Sequence, residues 1–232
     1  MNEIEYNGAF VEHPSEEFLP EGIDVTQLPP RSWYKTAHIC DSQGRAPACV
    51  GFSVANVLEH LLGRRLPKNK QLDGIAIWKR AREMFWHGKM DGGLFAHQAI
   101  DACKDLGILP PESQYRVIRG WGAINAALMK APLLQAHHVH NGWNKASMIT
   151  GCIDHSFAPT RSDGWHETVL IGMEVKENQL YLHSQNSWGK RWGKYGFFVM
   201  SANEYLEGKA ETGTIDLPRD WEQRSNWRKF IK

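Results

Sequence analysis

A change in hydrophobic period near Pro132 constrains the fold of this chain more than any other feature. Before Pro132, apolar residues recur every three or four positions, which is the spacing of one buried helix face. After Pro132 they alternate with polar residues or form short apolar runs, as they do in strands. Helices and strands in separate halves of a chain favour an α+β fold over alternating βαβ units. The sequence therefore predicts a helical lobe and a lobe of antiparallel strands, with a cleft between them.

The hydrophobic pattern also predicts the individual elements. The clearest helix begins at or near Cys49, ends at Gly63 and carries these apolar side chains on one face: Val50, Val54, Val57, Leu58, Leu61 and Leu62. Further helices are expected at about residues 74–85, 95–106 and 123–129. Strands are expected at residues 133–139, 168–175, 180–184 and 195–200, with turns at Asn141-Gly142 and Glu177-Asn178. Residues 31–48 predict irregular backbone.

The charge balance argues against several classes of partner. The 232 residues include 27 Lys and Arg and 26 Asp and Glu, a net charge of +1, so a nucleic-acid or membrane-surface polycation is not expected. No uncharged apolar run approaches the ~18–20 residues of a membrane span. The first ten residues contain no Lys, no Arg and no apolar run. This predicts that a secretory signal is absent and that the protein is cytoplasmic, with reduced thiols.

Four cysteines are present, and none belongs to a CxxC pair that would indicate a zinc or redox motif. Cys49 stands at a loop-to-helix junction, where unpaired backbone N–H groups and the helix dipole favour the thiolate. Cys103 lies on the apolar face of the third helix and is expected in the core. Cys40 and Cys152 lie near loops, which allows them to be exposed. Cys49 is therefore the candidate reactive thiol.

Several motifs in the sequence resemble those of the papain-like cysteine proteases. The string NSWGKRWGKYGFF, from Asn186 to Phe198, is similar to the Asn motif of that family, and GWHETVLIG, from Gly164 to Gly172, is similar to its His motif. Upstream segments resemble other family motifs, in the expected order: Leu28-Pro29 and Trp33 at the mature N-terminus, Gln43-Gly44 and Cys49 to Ser53 in the Gln and Cys motifs, and Asp91-Gly92-Gly93 as the paired glycines. The resemblance extends from about Leu28 to Met200, and it suggests a reduced intracellular member of bacterial or phage type.

The resemblance implies a role for each matched residue. Cys49 would be the nucleophile, His166 the base and acid, and Asn186 the residue that orients the His166 ring. The oxyanion would be held by the Gln43 amide and the Cys49 backbone N–H. Substrate would be bound by Gly92, Gly93, Glu167 and Trp188. Such a site hydrolyses peptide bonds in a polypeptide substrate and needs neither a metal nor an organic cofactor.

The implied architecture is a two-lobed papain-like domain at residues 28–216. Its helical lobe would cover about residues 45–115, and its β-barrel-like lobe about residues 116–216, with the active site in the cleft between them. An acidic segment, residues 1–27, precedes the domain, and a tail that is expected to be solvated and partly docked, residues 217–232, follows it. A protein inhibitor or regulator is a possible partner. The sequence does not indicate an oligomeric state.

The sequence departs from the family pattern at four positions around the cleft. Ala46 replaces the usual disulfide cysteine, Val50 replaces the usual Trp after the nucleophile, and Trp165 and Glu167 flank His166 where other residue types are common. Glu167 aligns near the pocket for the residue two before the scissile bond. A carboxylate there would favour a basic or polar substrate side chain over an apolar one.

Other interpretations of the motifs stay open. The same chemistry would serve a specialised amidase, an isopeptidase or a transferase, and the changed cleft walls also fit a catalytically silent papain-like binding module. His155, preceded by Asp154, competes with His166 for the role of base, although it does not open an apolar strand. Of His137, His138 and His140, only the last two share a strand face. No third ligand accompanies them in the sequence, and a metal site is not predicted.

Overall fold

The computed structural model describes residues 9–10, 28–29, 31–33, 40–67, 70–140, 142–143, 146, 148–153, 164–207 and 210–232. Its first lobe is organised around helix α1, Cys49–Leu62, which is buried along almost its whole length. Helix α2, Gly74–Trp86, and helix α3, Ala96–Asp105, pack against it. Helix α1 ends at Gly63, whose φ of 51° is a left-handed conformation that glycine adopts without steric cost.

Two glycines allow α1 and α2 to pack in close contact. A Cβ on Gly51 would lie 2.4 Å from the carbonyl oxygen of Gly74, and a Cβ on Gly74 would lie 2.8 Å from the Cα of Phe52. The start of α2 is further fixed by Asp73, whose Oδ1 accepts the N–H groups of Ile75 and Ala76, a typical N-cap. These contacts hold the helical lobe rigidly around the beginning of α1.

The second lobe is a seven-stranded sheet in which every pairing is antiparallel. Its strands are β2 (Arg31–Trp33), β4 (Gln114–Ile118), β5 (Leu133–Val139), β6 (Gly164–Lys176), β7 (Gln179–Gln185), β8 (Phe197–Ser201) and β9 (Glu211–Asp216). They follow the order β4-β9-β5-β6-β7-β8, and β2 pairs with β6. The edge strands β4 and β8 do not pair in the described ranges, so the sheet stays open rather than closing into a barrel.

The remaining elements are short. A two-residue strand β1 (Ala9–Phe10) pairs in parallel with β3 (Leu94–Phe95), which immediately precedes α3. The other helices are α4 (Trp121–Leu128), α5 (Ala202–Glu207) and α6 (Trp221–Arg224), with 3-10 turns at Gly63–Arg65 and Trp227–Phe230. Within the described ranges, every helix is too short or too polar to cross a bilayer.

The sheet separates two hydrophobic cores because neighbouring residues of a strand point to opposite faces. Leu134 and Val169 face α1 and belong to the core of the helical lobe. Leu133, Leu170 and Phe198 belong to the second core on the other side of the sheet. Strand β6 therefore forms the boundary between the lobes, and successive residues of β6 enter different environments.

The predicted elements agree with the structure in type and differ mainly at the ends. The four helices and the strands β5 to β8 are present, and Glu177 and Asn178 form a turn with φ values of 51° and 59°. Strand β6 begins four residues earlier than expected, and β2, β4 and β9 were not predicted at all. Those three strands are short and are recognisable only by their pairing partners. Asn141 lies outside the described residues.

Two further parts of the chain are more buried than the sequence suggested. Cys40 is buried, not exposed, because the loop that carries it packs against Asn186 and Gly196. The tail contributes Trp221 and Trp227 to the core of the helical lobe, and Ile231 bridges to Leu72. The tail is thus an integral part of that lobe rather than a solvated, partly docked terminus.

Candidate active site

Cys49 lies at the start of α1, at the junction of the two lobes. The N-cap residue Ala48 supplies no side-chain cap, so the first N–H groups of the helix remain available to other acceptors. The N–H groups of Cys49 and Val50 lower the pKa of the thiol. The backbone N–H of Glu167 in β6 donates to the Cys49 Sγ at 3.4 Å. This contact places the thiol beside the residue that follows His166.

Burial nevertheless keeps the thiol protonated in this structure. Desolvation raises the pKa of Cys49 to about 12, and the nearby Glu167 carboxyl also raises it. Burial lowers the pKa of His166 to about 4, although its hydrogen bond to Asn186 opposes that change. The sequence led us to expect a thiolate, because a helix N-terminus favours negative charge. Here the cost of desolvation exceeds that favourable field, and both groups are neutral.

The imidazole of His166 is held by Asn186. The His166 Nε2 donates to the Asn186 Oδ1 at 2.7 Å, and that oxygen also accepts the backbone N–H of Ser187 at 2.7 Å. The ring of Trp188 lies over the imidazole, with centroids 4.6 Å apart. Asn186 and His166 are both buried. The Asn186 amide therefore orients a shielded imidazole through Nε2, and the Nδ1 takes no part in this hydrogen bond.

The segment that carries Asn186 is fixed by tight backbone packing. Its N–H donates to the Gly196 carbonyl at 2.9 Å, and its carbonyl accepts the Cys40 thiol. Gly196 has a φ of 91°, and a Cβ on it would lie 2.3 Å from the Cys40 Sγ. Only glycine fits this position. Cys40 therefore serves the site through packing, and burial raises the pKa of its thiol to about 12.

Gln43 is attached to the same segment from the opposite lobe. Its backbone N–H donates to the Ser187 carbonyl at 2.9 Å, and its Oε1 accepts the Ser187 hydroxyl at 2.6 Å. Its Nε2 donates to the Ala46 carbonyl at 2.8 Å. A side-chain amide has two N–H groups, and Ala46 takes one of them. Two hydrogen bonds thus join the Gln43 loop to the Asn186 segment.

The paired glycines lie at the edge of the helical lobe. The indole N–H of Trp78 donates to the Gly92 carbonyl at 3.1 Å, and the buried guanidinium of Arg82 donates to the Gly93 carbonyl at 3.0 Å. Both side chains come from α2. These bonds anchor the backbone that leads into β3.

Strand β1 extends this edge across the cleft. Ala9 pairs with Leu94 and Phe10 pairs with Phe95, in parallel. The same two residues also contact β6 of the other lobe. Residues 9 and 10 therefore approach both the strand that follows Gly93 and the strand that carries His166.

Two acidic side chains occupy the sheet face beside the thiol. Glu167 is 2% exposed and Glu211 is 8% exposed. Ala136 of β5 pairs with Glu167 on one side and with Glu211 on the other. Burial, and then the charge of Glu211, raise the pKa of Glu167 well above its usual value. Sequence reasoning identified Glu167 and missed Glu211, because nothing in the local sequence around Glu211 indicates which strand it pairs with.

The other histidines do not form a metal cluster. His137 is buried against Trp143, with ring centroids 4.6 Å apart, and burial lowers its pKa well below the usual value. His138 packs on Trp165, and the His140 Nδ1 accepts the Gly142 N–H. Across the described part of the chain, no three His, Cys, Asp or Glu side chains are grouped for a metal ion. His155 lies outside the described residues.

Comparison with known proteins relates both the sequence and the fold to one family. The family model for papain family cysteine proteases matches residues 112–215. A pro-cathepsin H from Medicago truncatula is 22% identical over 215 residues, covering 81% of this chain. The present chain spans 61% of the length of that relative.

Solved structures agree with the architecture. Xylellain, a cysteine protease from Xylella fastidiosa, superposes with a TM-score of 0.69 at 16% identity, over 94% of this chain and 99% of that one. A digestive procathepsin L 3 of Tenebrio molitor gives a TM-score of 0.67 at 16% identity, over 92% of this chain and 77% of that one. These similarities confirm the predicted two-lobed fold and the resemblance that suggested it.

Proposed function

This chain is a papain-like protein in fold and in the family model that it matches, and from this premise we propose that it is a cysteine peptidase acting through Cys49, His166 and Asn186. The observation that carries the proposal is the hydrogen bond of 2.7 Å between the His166 Nε2 and the Asn186 Oδ1. His166 lies on β6, and the backbone N–H of the next residue, Glu167, contacts the Cys49 Sγ. That arrangement places an oriented imidazole one residue from the N–H that contacts a thiol at a helix N-terminus, and nucleophilic catalysis by cysteine requires such a base within reach of the sulfur.

The proposed reaction begins with transfer of the Cys49 thiol proton to the His166 Nδ1, since the Nε2 is engaged with Asn186. The sulfur attacks the peptide carbonyl carbon, and the oxyanion accepts hydrogen bonds from the Cys49 backbone N–H and from the second N–H of the Gln43 amide. His166 then gives its proton to the leaving amine as the C–N bond breaks. A water molecule, deprotonated by His166, attacks the thioester and releases the acid, and the proton returns to Cys49.

We assign substrate contacts to the residues that border Cys49. Gly92 and Gly93 present backbone at the cleft edge, where an extended peptide can add as a strand. Trp188 covers the His166–Asn186 bond and excludes water from it. Glu167 follows His166 on β6, and its carboxylate would favour a basic or polar substrate side chain over an apolar one.

We further propose that the N-terminal segment inhibits the enzyme. Strand β1 occupies the interval between β3 and β6 that an extended substrate would need. Coverage of the cleft also explains why the thiol is buried and its pKa is raised to about 12. Removal or displacement of this segment would hydrate Cys49 and lower its pKa, so the active form is the uncovered one.

Thiol labelling with iodoacetamide tests the catalytic proposal. Cys152, which is exposed, provides an internal reference for an ordinary thiol. In the variant Ala9→Pro, Phe10→Pro, which disfavours the covering strand β1, we expect Cys49 to be labelled faster than Cys152. We expect this excess to disappear when His166→Ala is added. Cleavage of a peptide library should disappear in Cys49→Ser.

The alternatives give different results in the same experiment. In the uncovered variant, labelling of Cys49 no faster than Cys152, with no cleavage, would indicate a papain-like binding module. Fast labelling without cleavage of linear peptides would indicate an amidase, an isopeptidase or a transferase. Cleavage at internal or at terminal bonds of the library decides between an endopeptidase and an exopeptidase. The cytoplasmic location stays a prediction, which fractionation of source cells would test.

The inhibitory segment is tested on the full chain. The double substitution Ala9→Pro, Phe10→Pro removes the N–H donors of β1 and disfavours its pairing with β3. We expect faster Cys49 labelling and higher activity in this variant, and no change in a control variant, Glu3→Pro. Equal labelling rates in all three proteins would refute inhibition by β1.

A further inference from the structure

The loop that carries Gln43 pairs with the segment that follows Asn186. The Gln43 N–H donates to the Ser187 carbonyl at 2.9 Å. Two positions away on each strand of this pairing, the Gly189 N–H donates to the Asp41 carbonyl at 3.0 Å. The position of Asp41 therefore affects both the proposed oxyanion donor and the segment that orients the proposed base.

The tail of the chain places a cation against Asp41. The Lys232 Nζ lies 2.9 Å from the Asp41 Oδ2, and the Asp41 side chain is only 18% exposed. The other carboxylate oxygen of Asp41 accepts the Ser42 N–H at 2.7 Å. Solvent and salt screen a partly buried ion pair less than an exposed one, so this pair is a stronger link than an ordinary surface salt bridge. It joins the tail to the loop that carries Gln43.

Lys232 is itself held in place by the helical lobe. Its backbone N–H donates to the Gln71 carbonyl at 2.9 Å, and its carbonyl accepts the Gln71 N–H at 3.3 Å. Its Nζ lies 5.0 Å from the centroid of the Phe52 ring, which is a cation–π distance. Phe52 follows Cys49 by one turn of α1. The Lys232 ammonium therefore contacts both the loop that carries Gln43 and the helix that begins at Cys49.

Two other acidic side chains, Asp73 and Glu59, also interact with the Lys232 ammonium. The Asp73 Oδ1 lies 3.9 Å from the Nζ and already accepts two N–H groups at the start of α2. Burial is the main cause that raises the pKa of Glu59 to about 8, and the charge of Lys232 opposes that change. Glu59 is therefore neutral near pH 7, and Asp41 is the carboxylate with which Lys232 pairs most closely.

We propose that Lys232 is a positioning residue, which holds the Gln43 loop in register with the helix that begins at Cys49. This inference rests on the proposed peptidase function. The proposed oxyanion donors are the Gln43 amide and the Cys49 N–H, and two donors stabilise one oxygen only at a fixed separation. The ion pair with Asp41 maintains that separation from the tail. Because the oxyanion exists only after attack on the carbonyl, loss of the ion pair lowers kcat and leaves KM unchanged.

Steady-state kinetics in the uncovered variant, Ala9→Pro, Phe10→Pro, test the assignment. Lys232→Met should lower kcat about 3- to 10-fold with KM unchanged, because a small displacement of one donor weakens transition-state binding. Lys232→Arg keeps the charge and should restore most of the lost kcat. Lys229→Met is the matched control, since Lys229 is an exposed lysine of the same tail, and it should leave kcat unchanged. A kcat in Lys232→Met equal to that of the control would overturn the proposal.

A double-mutant cycle shows whether the effect passes through Asp41. Asp41→Asn keeps an oxygen for the Ser42 N–H and removes the charge. The double variant Asp41→Asn, Lys232→Met should have the kcat of either single variant within about 2-fold, because both substitutions remove the same interaction. A loss equal to the product of the two single losses would show that Lys232 acts independently of Asp41 and would contradict the proposal.

Amide hydrogen exchange of the full chain separates this inference from the proposed function, because it needs no hydrolysis. In Lys232→Met the N–H groups of Gln43 and Gly189 should exchange about 3- to 5-fold faster than in the wild type. The N–H of Ile124, hydrogen-bonded within α4, should keep its rate. That local increase supports the role of Lys232 in holding the loop, even if no peptide is cleaved. Unchanged exchange at Gln43 and Gly189, or an equal increase at all three amides, overturns it, even if the enzyme cleaves peptides efficiently.

Discussion

The backbone N–H of Glu167 donates to the Sγ of Cys49 at 3.4 Å and thereby connects the sheet to the beginning of α1. The two residues belong to different lobes and lie 118 positions apart. His166 precedes this donor, and the side chains of His166 and Glu167 project from opposite faces of β6. A single backbone contact therefore relates the thiol to both the proposed base and the proposed specificity residue.

Asn186 should act mainly by orienting His166. Asn186→Ala removes the acceptor of the Nε2 hydrogen bond, so the imidazole loses its fixed tautomer and position. We expect kcat to fall about 100-fold with little change in KM, at the lower end of the ~10²–10⁴-fold contribution of a general acid–base group, because His166 itself is retained. Asn203→Ala, an exposed asparagine of α5, should retain wild-type kinetics. Steady-state kinetics and the pH profile of Cys49 labelling measure both effects, and an unchanged profile in Asn186→Ala would contradict the assignment.

Gln43 should contribute to catalysis through its side-chain amide N–H and not through the hydrogen bonds that hold its loop in place. Gln43→Glu keeps an oxygen for the Ser187 hydroxyl but replaces the N–H donors with negative charge. Loss of one oxyanion donor costs about 10²–10³ in kcat, and we expect a decrease of that order. Loss of the bond to the Ala46 carbonyl should lower the stability by only about 0.5–1.5 kcal/mol. Gln223→Glu, on the exposed side of α6, is the control. Equal kcat values in the two variants would show that Gln43 is structural.

Substitution of two glycines by alanine should change the stability of the protein in opposite directions. Gly213→Ala places a Cβ 2.2 Å from the Tyr115 ring, which must move and weaken its bond to Glu211. Overpacking of this kind costs about 1–3 kcal/mol. Gly122→Ala, in α4, meets no atom within 4 Å and should stabilise the protein by about 0.5–1 kcal/mol through helix propensity. Urea denaturation measures both changes, and a neutral Gly213→Ala would show that the Tyr115 ring has room to shift.

Glu59 should make the protein less stable as the pH rises. It is buried in α1, and burial is the main cause that raises its pKa to about 8, with Asp41 adding to the shift. Its Oε1 accepts the Leu72 N–H at 2.6 Å. Between pH 4.5 and 8 the unfolded state releases the Glu59 proton before the folded state does. Stability from this group is therefore complete below pH 4.5 and is lost as the pH rises through 8, at up to about 1.4 kcal/mol per pH unit.

Glu59→Gln keeps the acceptor for Leu72 and has no proton to lose. Between pH 5 and pH 8.5, the free energy of unfolding should fall less in this variant than in the wild type. The difference between the two proteins should be a few kcal/mol at most. Urea titrations at several pH values test this, with Glu207→Gln, an exposed residue of α5, as the control. Parallel pH dependence in the wild type and Glu59→Gln would exclude Glu59 as the cause.

Much of the architecture follows from local sequence. The apolar spacing from Val50 to Leu62 predicts α1 and its end at Gly63 because a buried helix face and a left-handed glycine are local properties. The NSWG motif at Asn186 predicts the segment that holds His166. These features depend on residues a few positions apart, and the structure places them where the sequence predicted. The boundaries proposed for the lobes and terminal segments stay predictions.

Other features depend on contacts that local sequence does not encode. Strands β4 and β9 are short and form by pairing with each other, and β9 also pairs with β5. The proximity of Glu211 to Glu167 depends on the same pairing. The burial of Cys40, and the pKa values of Cys49 and His166, reflect desolvation by segments far away in sequence.

The sequence by itself therefore determined the main helices, the strands β5 to β8 and the candidate catalytic side chains. Only the tertiary structure decided which strands are neighbours, which carboxyls share a face and how strongly each ionisable group is desolvated. The physical reason is one of range: hydrophobic period and turn geometry act over a few residues. Strand pairing and burial instead depend on how distant segments pack, and the sequence pattern does not specify that packing.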